Sequence, residues 1–383
     1  MIRRTLCALA AASLWAASGA AQVTDGIAQP DVRSYGPRAT APEGYPADYA
    51  RIVRAGEDEG QLVIYGATDE EVVQPVIADF QSVYPRIRVT YEDLNTTVLY
   101  HRFIAETRMG RDTADILWSS AMDQMVSLAG EGYAMTYGSP EKPGLPGSAS
   151  FKDQVYATNY EPIVFVYNKD QVKEGEVPKT HDDFARLLGS DPARFKGRVV
   201  AYDIEKSGIG FLLATQDEAA GKFAAVTEGF GRAGVTLSLT TSAMAEQVAS
   251  GRALLGYNLL GGYALARSAK RPSLGYVLPS DYTLVISRVM LANKSATHPN
   301  AARLWIDYLS SKRGQTVLAH QSGLLAVRQD VAGGPAMAEL RRELEVSQRV
   351  IAMDATILGG LDPKAYRDFI LRWRRAVFPD RAR

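Results

Sequence analysis

The sequence predicts an α/β protein with two lobes. Buried strands and amphipathic helices alternate over residues 62–118 and again over residues 164–257, an order that gives parallel strands with helices on the faces of the sheet. The 383-residue chain is also long for one hydrophobic core, because single cores stop growing at about 250–300 residues. Apolar residues make up 46% of the chain and charged residues 22%, which is typical of soluble globular proteins.

Residues 1–21 have the pattern of an export signal. Arg3 and Arg4 give a positive start, residues 6–17 form an apolar stretch too short to span a bilayer, and small residues allow cleavage after Ala20 or Ala21. An uncleaved membrane anchor is the alternative. The single cysteine, Cys7, would leave with the signal, so we expect a periplasmic protein without disulfides.

The first lobe is predicted over residues 49–158 and again over residues 284–325. Residues 22–48 are rich in Pro, Gly and Ala and predict an extended arm before it. Helix 69–83 has an apolar face at the helical period and contains Pro75, which is expected to bend it. The remaining predicted elements of this part are a helix at 49–59, strands at 62–65, 87–91 and 114–118, and a helix at 98–109.

The second lobe is predicted over residues 159–283. Pro299 then favours a helix that begins at His298 in the returning part of the first lobe. Residues 326–383 are predicted to form charged helices that pack on the outer faces of the lobes, with their arginines in water. The predicted elements of the second lobe are strands at 164–167, 199–202 and 254–257 and helices at 182–188, 209–220 and 243–249.

The chain lacks the common sequence signatures of enzymes and cofactor sites. Its four histidines have no metal-ligand spacing, and it has neither a Gly-x-Ser-x-Gly elbow nor a phosphate-binding loop. We therefore predict no catalytic residue, no metal and no cofactor, although an exported hydrolase with paired carboxylates stays open. The 43 basic residues balance 43 acidic ones, so charge gives no reason to expect nucleic acid or an anionic membrane as partner.

Small polar residues follow several predicted strands and precede several predicted helices. In an open parallel sheet the ligand crevice lies at the carboxyl ends of the strands, where helix N-termini present N–H groups that suit an anion. The turn at Ser207 and Gly208 carries no acid and lets a ligand approach the backbone, so we predict the anion there. Each serine or threonine could instead be a simple N-cap. The predicted ligand-binding residues are Ala67, Thr68, Thr96, Thr97, Ser119, Ser120, Tyr160, Ser207, Gly208, Tyr257, Asn258, Asp281 and Tyr282.

Four segments resemble periplasmic solute-binding proteins of ABC importers. They are LVIYGAT at 62–68, ADILWSS at 114–120, PIVFVYN at 162–168 and HPNAARLWIDYLSSKRGQ at 298–315. The last is similar to a helix of the branch that binds ferric ion and phosphorylated solutes. The resemblance implies a type II periplasmic binding fold, in which two lobes joined by hinge strands close on a ligand in the cleft, and a membrane permease as partner.

One stretch departs from the ferric-binding pattern. Ferric binders of this branch carry adjacent tyrosines where this chain has Leu259 and Leu260, and Fe(III) prefers hard oxygen ligands. We therefore predict a small anionic solute instead: phosphorylated, a phosphonate or a carboxylate. The resemblance implies hinge strands near 162–167 and 282–291 and capture without covalent chemistry, and we expect a monomer. A binding protein that signals to a membrane receptor is the alternative with the same fold.

Overall fold

The computed structural model describes residues 42, 44–332, 335–344 and 346–381. The predicted export signal and nearly all of the predicted arm lie outside these residues. The described chain forms two mixed β-sheets with helices packed against them. We name each sheet with its helices a lobe, and the predicted two-lobe α/β class is confirmed.

The first lobe is built on a six-stranded sheet with the order β2-β1-β3-β12-β5-β4. β1 pairs in parallel with β2 and β3, while β12 runs antiparallel to β3 and β5. The elements are α1 (Tyr49–Glu59), β1 (Gln61–Gly66), α2 (Glu70–Val83), β2 (Arg88–Asp93), α3 (Thr96–Arg108), β3 (Ile116–Ser119), α4 (Met122–Gly130), β4 (Ser150–Phe151), β5 (Val155–Ala157), β12 (Val289–Ala292), α11 (Pro299–Ser310) and α12 (Lys312–His320).

The predicted helix at His298 is α11, and it completes the core of the first lobe. Its N-terminus is held by Glu59, whose carboxylate accepts hydrogen bonds from the backbone N–H groups of Asn300 and Ala301 at 2.9 and 2.8 Å. Its apolar face brings Trp305 against Phe80 of α2, with ring centroids 5.1 Å apart in an edge-to-face arrangement. α2 continues through Pro75.

The second lobe is built on a seven-stranded sheet. Its strand order is β13-β11-β6-β9-β7-β8, and β10 also pairs with β6. β7 is parallel to β8 and β9, and β6 is antiparallel to β9 and β11. The elements are β6 (Glu161–Asn168), α5 (His181–Ser190), α6 (Pro192–Phe195), β7 (Val199–Tyr202), α7 (Gly208–Ala219), α8 (Phe223–Ala233), β8 (Thr236–Ser238), α9 (Thr241–Ala249), β9 (Leu255–Leu260), α10 (Gly261–Lys270), β10 (Leu274–Val277), β11 (Thr283–Ile286), α13 (Pro335–Leu344), β13 (Gln348–Val350) and α14 (Pro363–Val377).

Two neighbouring segments carry the chain between the sheets. The first is 158–160, between β5 and β6, and the second is 287–288, between β11 and β12. They are bonded to each other, because the backbone N–H of Thr158 donates to the carbonyl of Arg288 at 2.8 Å. β11 belongs to the second sheet, so the chain returns to the first lobe at 287–288, slightly later than the predicted position 284.

The C-terminal part differs from the continuous helical stretch that the sequence predicts. Between α13 and α14 the chain forms β13, which pairs in parallel with β11, and a 3-10 helix at Ala355–Leu361. α14 packs on α8, and its Phe369 and Trp373 belong to the core of the second lobe. The segment Ala355–Leu361 contacts α4 of the first lobe and α7 of the second. Among the described residues, no helix is long and apolar enough to cross a membrane.

Candidate functional site

The carboxyl ends of three parallel strands of the first sheet (β1, β2 and β3) and three of the second (β7, β8 and β9) meet at one cavity between the lobes. This interlobe cavity has a volume of about 50 Å³. The strand ends come from both sheets, as expected for ligand crevices of α/β proteins. The cavity is lined by Ala67, Asp69, Asp93, Leu94, Asn95, Thr96 and Ser120 of the first lobe and by Tyr202, Ile209, Leu239, Thr240, Thr241, Leu260 and Tyr263 of the second.

The two lobes are in contact around this cavity. The backbone N–H of Ile209 donates to Thr96 Oγ1 at 3.3 Å, and the Tyr263 hydroxyl donates to Asp69 Oδ1 at 3.0 Å. Gly208 faces the Gln124 side chain so closely that an added Cβ would lie 2.7 Å from Gln124 Nε2. The two lobes therefore bond to each other and pack closely around the cavity.

Three helices begin at the interlobe cavity. Asn95 caps α3, because its Oδ1 accepts from the N–H groups of Thr97 and Val98 at 2.9 and 3.3 Å. Ser207 caps α7 through the N–H of Gly210 at 3.4 Å, and Thr240 caps α9 through the N–H of Ala243 at 3.3 Å. Ser207 thus acts as an N-cap, while its predicted role in ligand binding stays a prediction. The positive ends of the three helix dipoles remain directed at the space between the lobes.

Two carboxylates lie on the first-lobe side of the cavity. Asp69 precedes α2 and accepts from Tyr263, and Asp93 ends β2 and accepts from the backbone N–H of Glu70. Burial and the neighbouring charge of Asp69 raise the pKa of Asp93 above its usual range. Among the described residues that line the cavity, none is a lysine, arginine or histidine.

A buried ion pair lies at the segments that carry the chain between the two sheets, beside Tyr263. Glu161 Oε2 accepts hydrogen bonds from Arg288 Nη1 and from Asn159 Nδ2, the latter at 2.7 Å. Glu161 Oε1 accepts from the backbone N–H of Gly262 at the start of α10, at 2.6 Å. Arg288 is fully buried, and its guanidinium carbon lies 5.4 Å from the centroid of the Tyr263 ring. The ion pair therefore joins the segments that connect the two sheets to a residue that lines the cavity.

Part of the predicted ligand-binding set lies at or beside the cavity. Ala67, Thr96 and Ser120 line it. Ser207 and Gly208 form the start of α7 that faces the first lobe. Thr68 is buried and bonded through its backbone to the Tyr91 hydroxyl, Thr97 lies within the first turn of α3, and Ser119 Oγ accepts from the N–H of Ala121 at 3.2 Å.

The predicted residues Tyr257, Asn258, Asp281 and Tyr282 form a separate cluster inside the second lobe. Its centre is the buried Asp217, which accepts from the Tyr257 hydroxyl at 3.0 Å, from Asn258 Nδ2 at 2.9 Å and from the Tyr282 hydroxyl at 2.8 Å. Asp281 bonds to His181 Nδ1 at 2.9 Å. Burial raises the pKa of Asp217.

The position of this cluster corrects the prediction that these four residues lie at the cleft. β9 ends at Leu260 and not at Tyr257, so Tyr257 and Asn258 lie within the strand and Leu260 reaches the cavity. Asp281 and Tyr282 precede β11, whose other end, Ile286, pairs with Glu161. Tyr160 also lies elsewhere, since its hydroxyl bonds to Gln348 and its ring packs with the apolar cluster of Val285 and Leu340.

The predicted ligand-binding set leaves out several residues that line the cavity, among them Asp69, Asp93, Tyr202 and Tyr263. A usable signal existed for Asp93, because it follows a predicted strand just as Ala67 does. Asp69 was assigned only to the first turn of a helix, where an acid is common. Tyr263 carries no such signal, because it reaches the cavity from the first turn of α10.

Residues 66–316 match the family model of bacterial extracellular solute-binding proteins. A substrate-binding protein of an ABC transporter from Agrobacterium tumefaciens has a similar structure, with 36% sequence identity and a TM-score of 0.79. The match covers 83% of this chain and 94% of that chain. A search of curated proteins finds no match.

Two further solved structures share the fold at lower identity. The periplasmic binding protein AfuA from Actinobacillus pleuropneumoniae, solved with exogenous fructose-6-phosphate, is 18% identical, with a TM-score of 0.65 over 83% of this chain and 98% of that chain. Iron-bound HitA from Pseudomonas aeruginosa is 17% identical, with a TM-score of 0.65 over 82% and 99%.

Proposed function

Because the chain belongs to the family of bacterial extracellular solute-binding proteins, we propose that it captures a small anionic solute in the interlobe cavity. The solute is phosphorylated, a phosphonate or a carboxylate. The protein works in the periplasm and delivers its ligand to the permease of an ABC importer. The family consists of transport proteins, and capture needs no covalent step.

The convergence of the N-termini of α3, α7 and α9 on the interlobe cavity carries this proposal. Helix N-termini present N–H groups and a positive dipole end, which together form a common site for phosphate and carboxylate groups. Thr96 and Ile209 bring two of these helices, one from each lobe, within hydrogen-bond distance of each other. An anion held between them would bond to both lobes at once.

Such a ligand favours the closed protein because it gains contacts only when the lobes meet. A ligand shifts an open–closed equilibrium by as much as its affinity for the two states differs. Hinge closure around a bound solute is a common mode of domain motion. The paired segments 158–160 and 287–288 are where the chain can bend without disturbing either sheet.

The direct test is to identify what the protein carries. Full-length protein is expressed with its own signal, purified gently from the periplasm, and denatured, and the released small molecules are identified by mass spectrometry. We expect a solute with a phosphate, phosphonate or carboxylate group, and titration calorimetry should confirm that it rebinds. A neutral sugar or a simple cation as the only released and rebinding molecule would contradict the proposal.

A further inference from the structure

The interlobe cavity has a negative side that an anion alone does not explain. Asp69 and Asp93 both line it, and no basic side chain lies beside them among the described lining residues. Within the described part of the chain, the Asp69 carboxylate has the neutral hydroxyl of Tyr263 as its only side-chain hydrogen-bond partner. Asp69 is half-buried and Asp93 is exposed at the edge of the cavity. Their neighbouring negative charges repel each other and favour a positive group between them.

A second observation in the same cavity also indicates a ligand. Ser120 lines the cavity and is only 2% exposed. Its hydroxyl forms no hydrogen bond to any residue that the structure describes, and it is not one of the side-chain oxygens enclosed by protein atoms. The hydroxyl therefore remains free to bond to a ligand atom in the cavity.

The two carboxylates and the N-termini of α7 and α9 lie in different lobes, while the N-terminus of α3 lies in the same lobe as the carboxylates. Asp69 and Asp93 belong to the first lobe, at the start of α2. The N-termini of α7 and α9 belong to the second lobe, where Ile209, Thr240 and Thr241 line the cavity. A ligand that spans the cavity thus meets negative charge at one end and helix dipoles at the other.

We infer that the ligand is a zwitterion. Its protonated amine binds Asp69 and Asp93, its anionic group binds at the N-termini of α7 and α9, and Ser120 bonds to the part between them. This inference rests on the proposed function and narrows its substrate class to small amino acids or aminoalkylphosphonates. The rival interpretation is that Asp93 only caps α2 through the N–H of Glu70.

The test is calorimetry of full-length protein, freed of bound ligand, with matched probes. The zwitterions are unbranched ω-amino carboxylates of two to six carbons and the corresponding ω-aminoalkylphosphonates. Each is compared with the same anion without the amine and the same amine without the anion. We expect at least one zwitterion to bind ten- to a hundredfold more tightly than its matched anion, as loss of a charged hydrogen bond predicts.

The variant Asp93→Asn separates the two interpretations of Asp93. Asparagine keeps a capping oxygen but loses the charge, so affinity for the zwitterion should fall about tenfold while affinity for the matched anion stays the same or rises. Glu92→Gln is the control, because Glu92 pairs with Arg102 outside the cavity. Thermal melts check that both variants fold.

Each outcome decides one of the two claims. Matched anions that bind as tightly as the zwitterions, or an Asp93→Asn protein with unchanged affinity for the zwitterion, would overturn this inference and leave the proposed anion binding intact. Amines that bind as tightly as the zwitterions would instead overturn the anionic class. If no probe binds at millimolar concentration and the released ligand lacks a basic nitrogen, the inference is overturned.

Discussion

The hydroxyl of Tyr263 in the second lobe lies 3.0 Å from the carboxylate of Asp69 in the first lobe. The same oxygen accepts from the backbone N–H of Asp69, also at 3.0 Å. On its other side, the Tyr263 ring lies near the buried Arg288, in one of the segments that connect the two sheets. One side chain therefore links both lobes, the cavity and a connecting segment.

Replacing Tyr263 by phenylalanine should weaken ligand binding by about tenfold. The change removes the hydrogen bonds to Asp69, and a bond to a charged group contributes about 1.5–3 kcal/mol. Because that energy is available only when the lobes meet, the loss lowers the closed fraction and with it the apparent affinity. Calorimetry with the released native ligand measures it. The control is Tyr366→Phe, which removes a hydroxyl where α14 packs on Phe211 and should leave the affinity unchanged. Equal losses of affinity in the two variants would refute the prediction.

Substituting Gly208 should obstruct closure. A Cβ at this position would lie 2.7 to 2.9 Å from the amide group of Gln124, so Gly208→Ala tests bulk alone and Gly208→Asp adds a negative charge at the start of α7. We expect a moderate loss of affinity for alanine and near-complete loss for aspartate, with little change in melting temperature. The double variant Gly208→Ala, Gln124→Ala should recover affinity. A well-folded Gly208→Asp protein that binds like the wild type would show that this turn does not face the ligand.

Replacing Glu161 by glutamine should destabilise the protein by about 3–5 kcal/mol. The change leaves Arg288 charged and fully buried without its ion-pair partner, and breaking a buried pair from one side has that cost. Urea unfolding measures it. The double variant Glu161→Gln, Arg288→Met should cost less than the single one, because no unpaired charge remains. A double variant less stable than the single one would contradict this account.

Replacing Asp123 by asparagine should stabilise the protein above neutral pH. Asp123 is fully buried, its Oδ1 has no hydrogen-bond partner among the described residues, and burial raises its pKa to about 7. Between about pH 4 and 7 the unfolded chain holds fewer protons than the folded one, so the wild-type free energy of unfolding falls as pH rises. Urea unfolding at pH 5 and pH 8 should show that Asp123→Asn has a higher free energy of unfolding than the wild type at pH 8 only, by an amount on the order of 1–3 kcal/mol. The exposed Asp112→Asn is the control; a gain equal at both pH values would refute the prediction.

The protein should bind no Fe(III) tightly. Leu259 and Leu260 stand where ferric binders of this branch have adjacent tyrosines, and Leu260 lines the cavity. Titration with ferric citrate should therefore produce no visible charge-transfer band of phenolate bound to iron, which prefers oxygen ligands. Appearance of such a band would contradict the prediction. If the band were then lost in Tyr263→Phe, Tyr263 would be identified as the residue that coordinates iron.

The sequence predicted the cavity through strand order, because period-two and helical patterns locate the carboxyl ends of parallel strands. Ala67 and Ser120 reach the cavity for that reason. The same logic failed at Tyr257 because the polar Asn258 suggests the end of the strand, whereas the apolar pattern resumes at Leu259 and Leu260. The strand continues for three residues beyond Tyr257 and ends at Leu260.

Contacts between distant segments had no signal in the sequence. Arg288 lies in a stretch that predicts a strand, and nothing nearby in the chain indicates that Glu161 compensates its charge. The pairing arises because segments 158–160 and 287–288 cross between the lobes side by side. Such a relationship depends on tertiary structure alone.

The 3-10 segment Ala355–Leu361 gives the two lobes a tether away from the hinge. It touches α4 on one lobe and α7 on the other, and Gly360 packs against Thr215 and Phe211 of α7. A Cβ at Gly360 would lie 3.0 Å from Thr215 Cγ2, so the seat on α7 is close-fitting. If the lobes separate, the segment must lose its contacts with one of them, and α14, which follows it directly in the chain, ties it to the second lobe. Its contacts with α4 would then favour the arrangement in which the lobes meet even before a ligand binds.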